Sequence, residues 1–68
     1  MAQNYSEAVR LYTKAIEIKK DYVTAIFWRG KTYYYLGDMR NARKDVDLAI
    51  QLAPNEESYK TFRKELDQ

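Results

Sequence analysis

The sequence contains neither cysteine nor histidine. Without cysteine there can be no disulfide and no thiolate metal ligand, and a reducing compartment is the expected environment. Without histidine the chain lacks the commonest general base and the commonest metal ligand. We therefore expect a cytoplasmic protein that is not an enzyme and that uses no metal or other cofactor.

Long apolar runs and an excess of one charge are also missing. No apolar stretch approaches the roughly 20 residues that a membrane-spanning helix needs, and no signal peptide is visible. The 12 basic and 10 acidic residues give a net charge of +2. Because the two signs are interspersed, the charge pattern is not typical of a nucleic-acid binder, although basic and aromatic residues interleave in one segment. We expect neither a membrane nor a nucleic acid as partner.

What the chain does have is apolar residues at steps of three and four, the spacing of amphipathic helices. The connections between these segments are short, so neighbouring helices should be antiparallel. The predicted fold class is all-α, an antiparallel helix-turn-helix array of four helices. These helices are predicted at about residues 5–19, 23–36, 39–53 and 56–66.

The predicted helix ends follow from local residue chemistry. Gly37 suits the left-handed position that ends a helix, and Pro54 stops the next helix because the residue before proline avoids the helical region. Short polar side chains just before a helix accept hydrogen bonds from its first N–H groups. The predicted N-caps of this kind are Asn4, Asp21, Asp38 and Asn55.

The third predicted helix has the clearest division into two faces. Its apolar positions recur with the helical period, and charged residues occupy the other positions. We predict a buried stripe of Met39, Ala42, Val46, Ala49, Ile50 and Leu52, with Arg40, Arg43, Lys44, Asp45 and Asp47 solvated.

An internal repeat is the strongest signal in the sequence. Ala42 lies 34 residues after Ala8, and Ala49 lies 34 residues after Ala15. Gly30 costs about 1 kcal/mol against alanine inside a helix, and close approach by a neighbouring helix would explain it. The predicted helix-packing residues are Ala8, Ala15, Gly30, Tyr33, Gly37, Ala42, Ala49 and Pro54.

These residues, together with Asp38, resemble the signature of the tetratricopeptide repeat, whose period is about 34 residues. The resemblance covers nearly the whole chain and implies a single domain over residues 1–68. The start of the chain does not coincide with the start of a repeat. Residues 1–22 would be a half repeat, residues 23–56 a complete repeat and residues 57–68 a C-terminal capping helix. The departures from the family pattern are Lys20, Ile26, Arg29 and Arg43. The Arg29–Gly30 and Ala42–Asp45 segments are similar to the last repeat of immunophilin-type cochaperones.

In this family the first helix of each repeat lines a concave face that binds peptides. The resemblance therefore implies a non-catalytic module that binds a peptide or partner protein. Matching carboxylate-binding members residue by residue puts Thr24 and Trp28 where basic residues serve, so no complete carboxylate clamp is predicted. Phe27 and Tyr34 have an alternative interpretation as core residues. The groove predicted between the second and fourth helices is lined by Thr24, Phe27, Trp28, Lys31, Tyr34, Tyr35 and Phe62.

The alternative function is a structural, self-assembling unit, natural or engineered. Repeats bury their apolar faces against neighbours, and the sequence offers the first helix only one neighbouring repeat. We expect the side of this helix that carries Val9, Tyr12 and Ile16 to meet another copy of the chain, giving a homo-oligomer. The other interpretation is a monomer with an apolar end.

Overall fold

The computed structural model describes residues 4–67, and no strand occurs in that part of the chain. Successive helices pack against each other, α1 on α2, α2 on α3 and α3 on α4. This arrangement confirms the predicted all-α array, and each helix begins and ends within one residue of the predicted position. The helices are α1 (Tyr5–Ile18), α2 (Val23–Tyr35), α3 (Met39–Leu52) and α4 (Glu57–Glu65).

Two of the predicted N-caps and the predicted glycine cap are confirmed. The side chain of Asn4 accepts a hydrogen bond from the backbone N–H of Glu7 at 3.0 Å. The carboxylate of Asp38 accepts one from the N–H of Asn41 at 3.3 Å. Gly37 has a φ of 82° and therefore adopts the left-handed conformation that closes α2.

The N-cap predictions for Asp21 and Asn55 are wrong. The residues before α2 and α4 are Tyr22 and Glu56, and neither side chain makes a capping hydrogen bond. Asp21 lies in a turn closed by the bond from the Tyr22 N–H to the Lys19 carbonyl. Asn55 lies in an equivalent turn that ends at Glu56. Each predicted cap is therefore one residue too early.

The core lies among α2, α3 and α4. Its largest fully buried side chains are Ile26, Val46 and Leu66. No residue of α1 is fully buried, although Ile16 packs against the core from that helix. The fully buried side chains therefore come from the part of the chain after α1. The buried apolar cluster consists of Ile26, Phe27, Ala42, Val46, Ala49, Phe62 and Leu66.

The predicted stripe of α3 needs two corrections. Leu52 is 43% exposed, because it is the last residue of α3, although it lies on the same side of the helix as Asp45, seven residues earlier. Asp45, predicted to be solvated, is only 4% exposed. Its burial is explained by a partner on α2 that is described below.

At Gly30 the helices α2 and α3 approach each other closely. A Cβ atom at this position would lie 2.9 Å from the Cβ of Asp45 and 3.1 Å from a methyl group of Val46. It would also lie 3.2 Å from the carbonyl oxygen of Ala42. Gly30 is therefore required by packing, and Ala42 and Ala49 on α3 are fully buried. By contrast, Ala8 and Ala15 on α1 are only half-buried.

We expect Gly30→Ala to lower the free energy of unfolding by about 1–3 kcal/mol, because the added methyl group overpacks the contact between α2 and α3. At an exposed helix position, alanine stabilises the fold by about 1 kcal/mol relative to glycine. The change in stability expected at Gly30 therefore has the opposite sign. Urea unfolding followed by circular dichroism measures the change. Gln51→Ala, on the exposed side of α3, is the control and should change stability by less than about 0.5 kcal/mol. An increase in stability for Gly30→Ala would contradict the packing described here.

Candidate peptide-binding surface

Helix α2 divides into a covered face and an open face. Gly30 and Ile26 are buried towards α3 and the core, and Tyr33 packs against the same cluster. Trp28 and Tyr35 are 43% and 51% exposed. Helix packing on one side of α2 therefore leaves two large aromatic side chains accessible on the other.

Two members of the predicted groove belong to the core. Phe27 and Phe62 are each 6% exposed, and their rings meet edge to face with centroids 5.6 Å apart. Tyr59 stacks on Phe27 at 4.2 Å. The alternative interpretation of Phe27 as a core residue is thus the one that its burial supports. Neither phenylalanine ring offers open surface to a partner, and both lie beneath the surface that α2 presents.

The remaining predicted groove residues differ in accessibility. Tyr34 is half-buried and meets Phe62 edge to face at 5.4 Å. Thr24 is exposed near the start of α2. The ammonium group of Lys31 lies 4.8 Å from the centroid of the Trp28 ring and 5.3 Å from that of Phe62. Cation–π attraction of this kind holds a positive charge against aromatic faces.

A cleft between α1 and α2 was not predicted from the sequence. It has a volume of about 470 Å³. The rings of Tyr5 and Tyr35 stack across it with centroids 5.2 Å apart. The hydroxyl of Thr32 donates to the Trp28 carbonyl at 2.7 Å and is thereby satisfied within α2. The residues that line the cleft are Asn4, Tyr5, Ala8, Tyr12, Trp28, Thr32 and Tyr35.

The signal for this cleft was present in the sequence but was divided between other predictions. Ala8 was assigned to helix packing, Tyr12 to self-association and Trp28 to the groove. Tyr5, Ala8 and Tyr12 are spaced as i, i+3 and i+7, which places them along one side of α1. The three residues on α2 have the same kind of spacing. Joining the two rows required the relative rotation of the helices, which periodicity alone does not give.

An ion pair between α2 and α3 lies beside the Gly30 contact. The guanidinium of Arg29 donates two hydrogen bonds to the carboxylate of Asp45, at 2.8 and 2.9 Å. It donates a third to the hydroxyl of Thr13 on α1, at 3.2 Å. The bonds to Asp45 raise the pKa of Arg29 above its ordinary value, although burial opposes the shift. Arg29 therefore ties three helices together as a cation.

This pair explains two residues that the sequence left without a role. Arg29 departs from the family pattern, and Asp45 is part of the segment that resembles the immunophilin-type cochaperones. Both are occupied by a contact within the chain. No local pattern predicts the pairing, because the partners are 16 residues apart on different helices.

We expect Asp45→Asn to destabilise the fold by about 2–4 kcal/mol, since the Arg29 guanidinium would lose its counter-charge in a largely buried site. Asp47→Asn is a matched control on the same helix. Its partner is Arg63, and the Asp47 side chain is 57% exposed, so the loss should stay below about 1 kcal/mol. Urea unfolding of both variants measures the difference. Equal effects would show that the Arg29–Asp45 pair contributes no more than a surface ion pair.

The predicted self-association residues are only partly accessible. Val9 and Tyr12 are half-buried, and Ile16 is half-buried against the core cluster. The most exposed apolar side chains of α1 are instead Leu11 and Ile18, at 54% and 87%. Ile18 is the last residue of α1.

Two further features can be reported for residues 4–67. No group of three or more aspartate, glutamate, histidine or cysteine side chains is arranged to hold a metal ion. None of the helices combines the length and the apolar character needed to cross a bilayer.

Comparison with known families agrees with this architecture. A family model described as "TPR repeat" matches residues 2–37, and a second described as "Tetratricopeptide repeat" matches residues 23–56. Each match spans half of the 68-residue chain or more. The chain therefore belongs to the tetratricopeptide repeat family. Repeats of this family generally mediate protein–protein interactions and are typically non-catalytic.

Proposed function

We propose that the chain binds a peptide segment of a partner protein across the open face of α2, with Trp28 as the anchor. The single observation that carries the proposal is the pair of exposed aromatic side chains, Trp28 and Tyr35, on a helix whose other face is fully packed. Exposed apolar patches often mark interaction sites. Tryptophan and tyrosine are favoured anchors because they bury a large area with few rotatable bonds.

The side of α2 that faces α4 adds a rim to this surface. Phe27 and Phe62 lie beneath it, and Lys31 holds a positive charge above their rings. Exposed polar residues of α4, Ser58 and Thr61 among them, lie on the other helix of the proposed groove. The arrangement suits an aromatic anchor contact with a polar surround, as interfaces commonly have.

The chemistry of the groove argues against capture of a C-terminal carboxylate. Of the predicted groove residues only Lys31 is basic, since Thr24 and Trp28 stand at the positions where basic residues would be needed. We therefore propose recognition through aromatic contacts within a peptide segment. A cytoplasmic location and the lack of nucleic-acid binding stay predictions from the sequence.

We expect Trp28→Ala to weaken the binding of peptides selected from a random peptide library by at least about tenfold, because it removes the anchor. Stability should fall by less than about 2 kcal/mol, since the ring is not enclosed, whereas truncation of a buried tryptophan costs about 3–5 kcal/mol. Isothermal titration calorimetry and thermal unfolding measure the two effects.

Leu48→Ala is the control for this substitution. Leu48 is an exposed apolar residue of α3 that lies outside the proposed surface, so the variant should bind like the original chain. Unfolding of the Trp28→Ala variant, or undiminished binding by it, would contradict an anchor role for the ring.

Self-association through α1 is a second candidate function, which the exposure of Leu11 and Ile18 favours. End-to-end stacking through α4 is not favoured. Lys60 and Lys64 lie 34 residues after Ile26 and Gly30, so they occupy the positions on α4 that those two buried residues occupy on α2. If another copy packed on α4 as α3 packs on α2, both lysines would be buried, which is unfavourable. We therefore propose contact between the α1 helices of two copies.

If this candidate is right, sedimentation velocity will show a dimer whose population grows with protein concentration. The double substitution Leu11→Lys and Ile18→Lys should convert it into a monomer, because lysine replaces the exposed apolar area that the contact buries. Leu48→Lys, with the same change of charge per site on α3, should leave the dimer intact. A monomer at all concentrations would remove this candidate.

A further inference from the structure

The cleft between α1 and α2 is uncharged. Charged residues make up 32% of the chain, yet none of the seven residues that line the cleft carries a charge. The ammonium of Lys31 lies 4.8 Å from the centroid of the Trp28 ring but is not among the lining residues, so a charged ligand side chain would lose hydration against the seven uncharged residues without gaining an ion pair from any of them. The complementary ligand is therefore a segment without charged side chains.

The walls of the cleft are aromatic rings with hydrogen-bond donors at their edges. Tyr5 and Tyr12 come from α1, and Trp28 and Tyr35 come from α2. Across residues 4–67, side-chain hydrogen bonds use neither the three tyrosine hydroxyls nor the indole N–H. Such rings combine a flat apolar face with a polar tip. None of these four donors has a hydrogen-bond partner among residues 4–67, and we take them as the groups that would meet the carbonyls of a ligand.

Small residues lie in the middle of the cleft, and the cleft is short. Ala8 and Thr32 occupy the middle of the two rows, between the larger aromatic residues. Seven residues of helix correspond to about 10 Å. An extended segment with a rise of about 3.1 Å per residue would place roughly three residues along that length.

We propose that this cleft binds an uncharged, proline-rich segment in the polyproline II conformation. Proline rings stack on aromatic faces, and such segments dock into aromatic-lined grooves in other domains. The polyproline II backbone makes no internal hydrogen bonds, so its carbonyls are free to accept from the ring donors. A helical ligand would satisfy most of its own carbonyls and leave these donors unused. The inference rests on the proposed function as a peptide-binding module and names the class of peptide.

The chain contains a single tryptophan, and it lines this cleft. Its fluorescence therefore reports directly on occupancy during titration with an acetylated and amidated nonaproline peptide. We expect a saturable change in emission. The Kd should vary by less than about twofold between roughly 50 and 500 mM salt, because no ion pair forms. A glutamate–glycine peptide and an uncharged, helix-forming alanine–glutamine peptide should bind at least about tenfold more weakly, since neither offers proline rings.

Variants that remove one hydroxyl keep the ring and the fold. Tyr12→Phe and Tyr35→Phe should each weaken nonaproline binding by about two- to tenfold, the effect of one lost hydrogen bond. Their melting temperatures should not change. Tyr22→Phe is the matched control, because Tyr22 is exposed in the connection between α1 and α2 and does not line the cleft.

The outcomes separate this inference from the broader function. If nonaproline does not bind but library-selected peptides do, the proline-rich assignment is overturned and the peptide-binding function stands. If no peptide binds, both are overturned. Equal affinity for the alanine–glutamine helix, or equal effects of Tyr12→Phe and Tyr22→Phe, would also contradict the assignment.

Discussion

At the crossing of α2 and α3, Gly30 has no side chain, so the backbone of α2 lies directly against the side chains of Asp45 and Val46 on α3. The carbonyl of Ala42 also lies at this contact, and the Arg29–Asp45 pair lies directly beside it. Because the interior of a protein tolerates neither gaps nor overlap, this crossing fixes how α2 is rotated about its own axis. That rotation determines which aromatic residues enter the core and which remain open.

The surface of α2 follows from this constraint. Phe27 lies on the covered side and packs with Phe62, whereas Trp28, the next residue, faces the cleft shared with α1. Adjacent residues of a helix differ in direction by about 100°, so one ring can support the core while its neighbour contacts a partner. Trp28 and Tyr35 are left in contact with water, and this exposure is what the proposed binding role rests on.

Much of the fold could be predicted because it depends on local signals. Helix positions follow from apolar spacing, and the Asn4 cap, the Asp38 cap and the Gly37 turn follow from the chemistry of single residues. The failures have a different origin. Asp21 and Asn55 are not N-caps because each lies in a turn whose closing hydrogen bond comes from the next residue, and that next residue is the one before the helix. The burial of Asp45 depends on a partner in another helix. The cleft required the relative placement of α1 and α2, which no periodicity specifies.

The crossing at Gly30 can be examined directly by nuclear Overhauser spectroscopy of the chain in solution. The account predicts strong effects between the α protons of Gly30 and the methyl protons of Val46, and none between the indole protons of Trp28 and Val46. The opposite pattern, with Trp28 against Val46 and Gly30 free of contacts from α3, would show that α2 is rotated and would contradict the separation of its two faces.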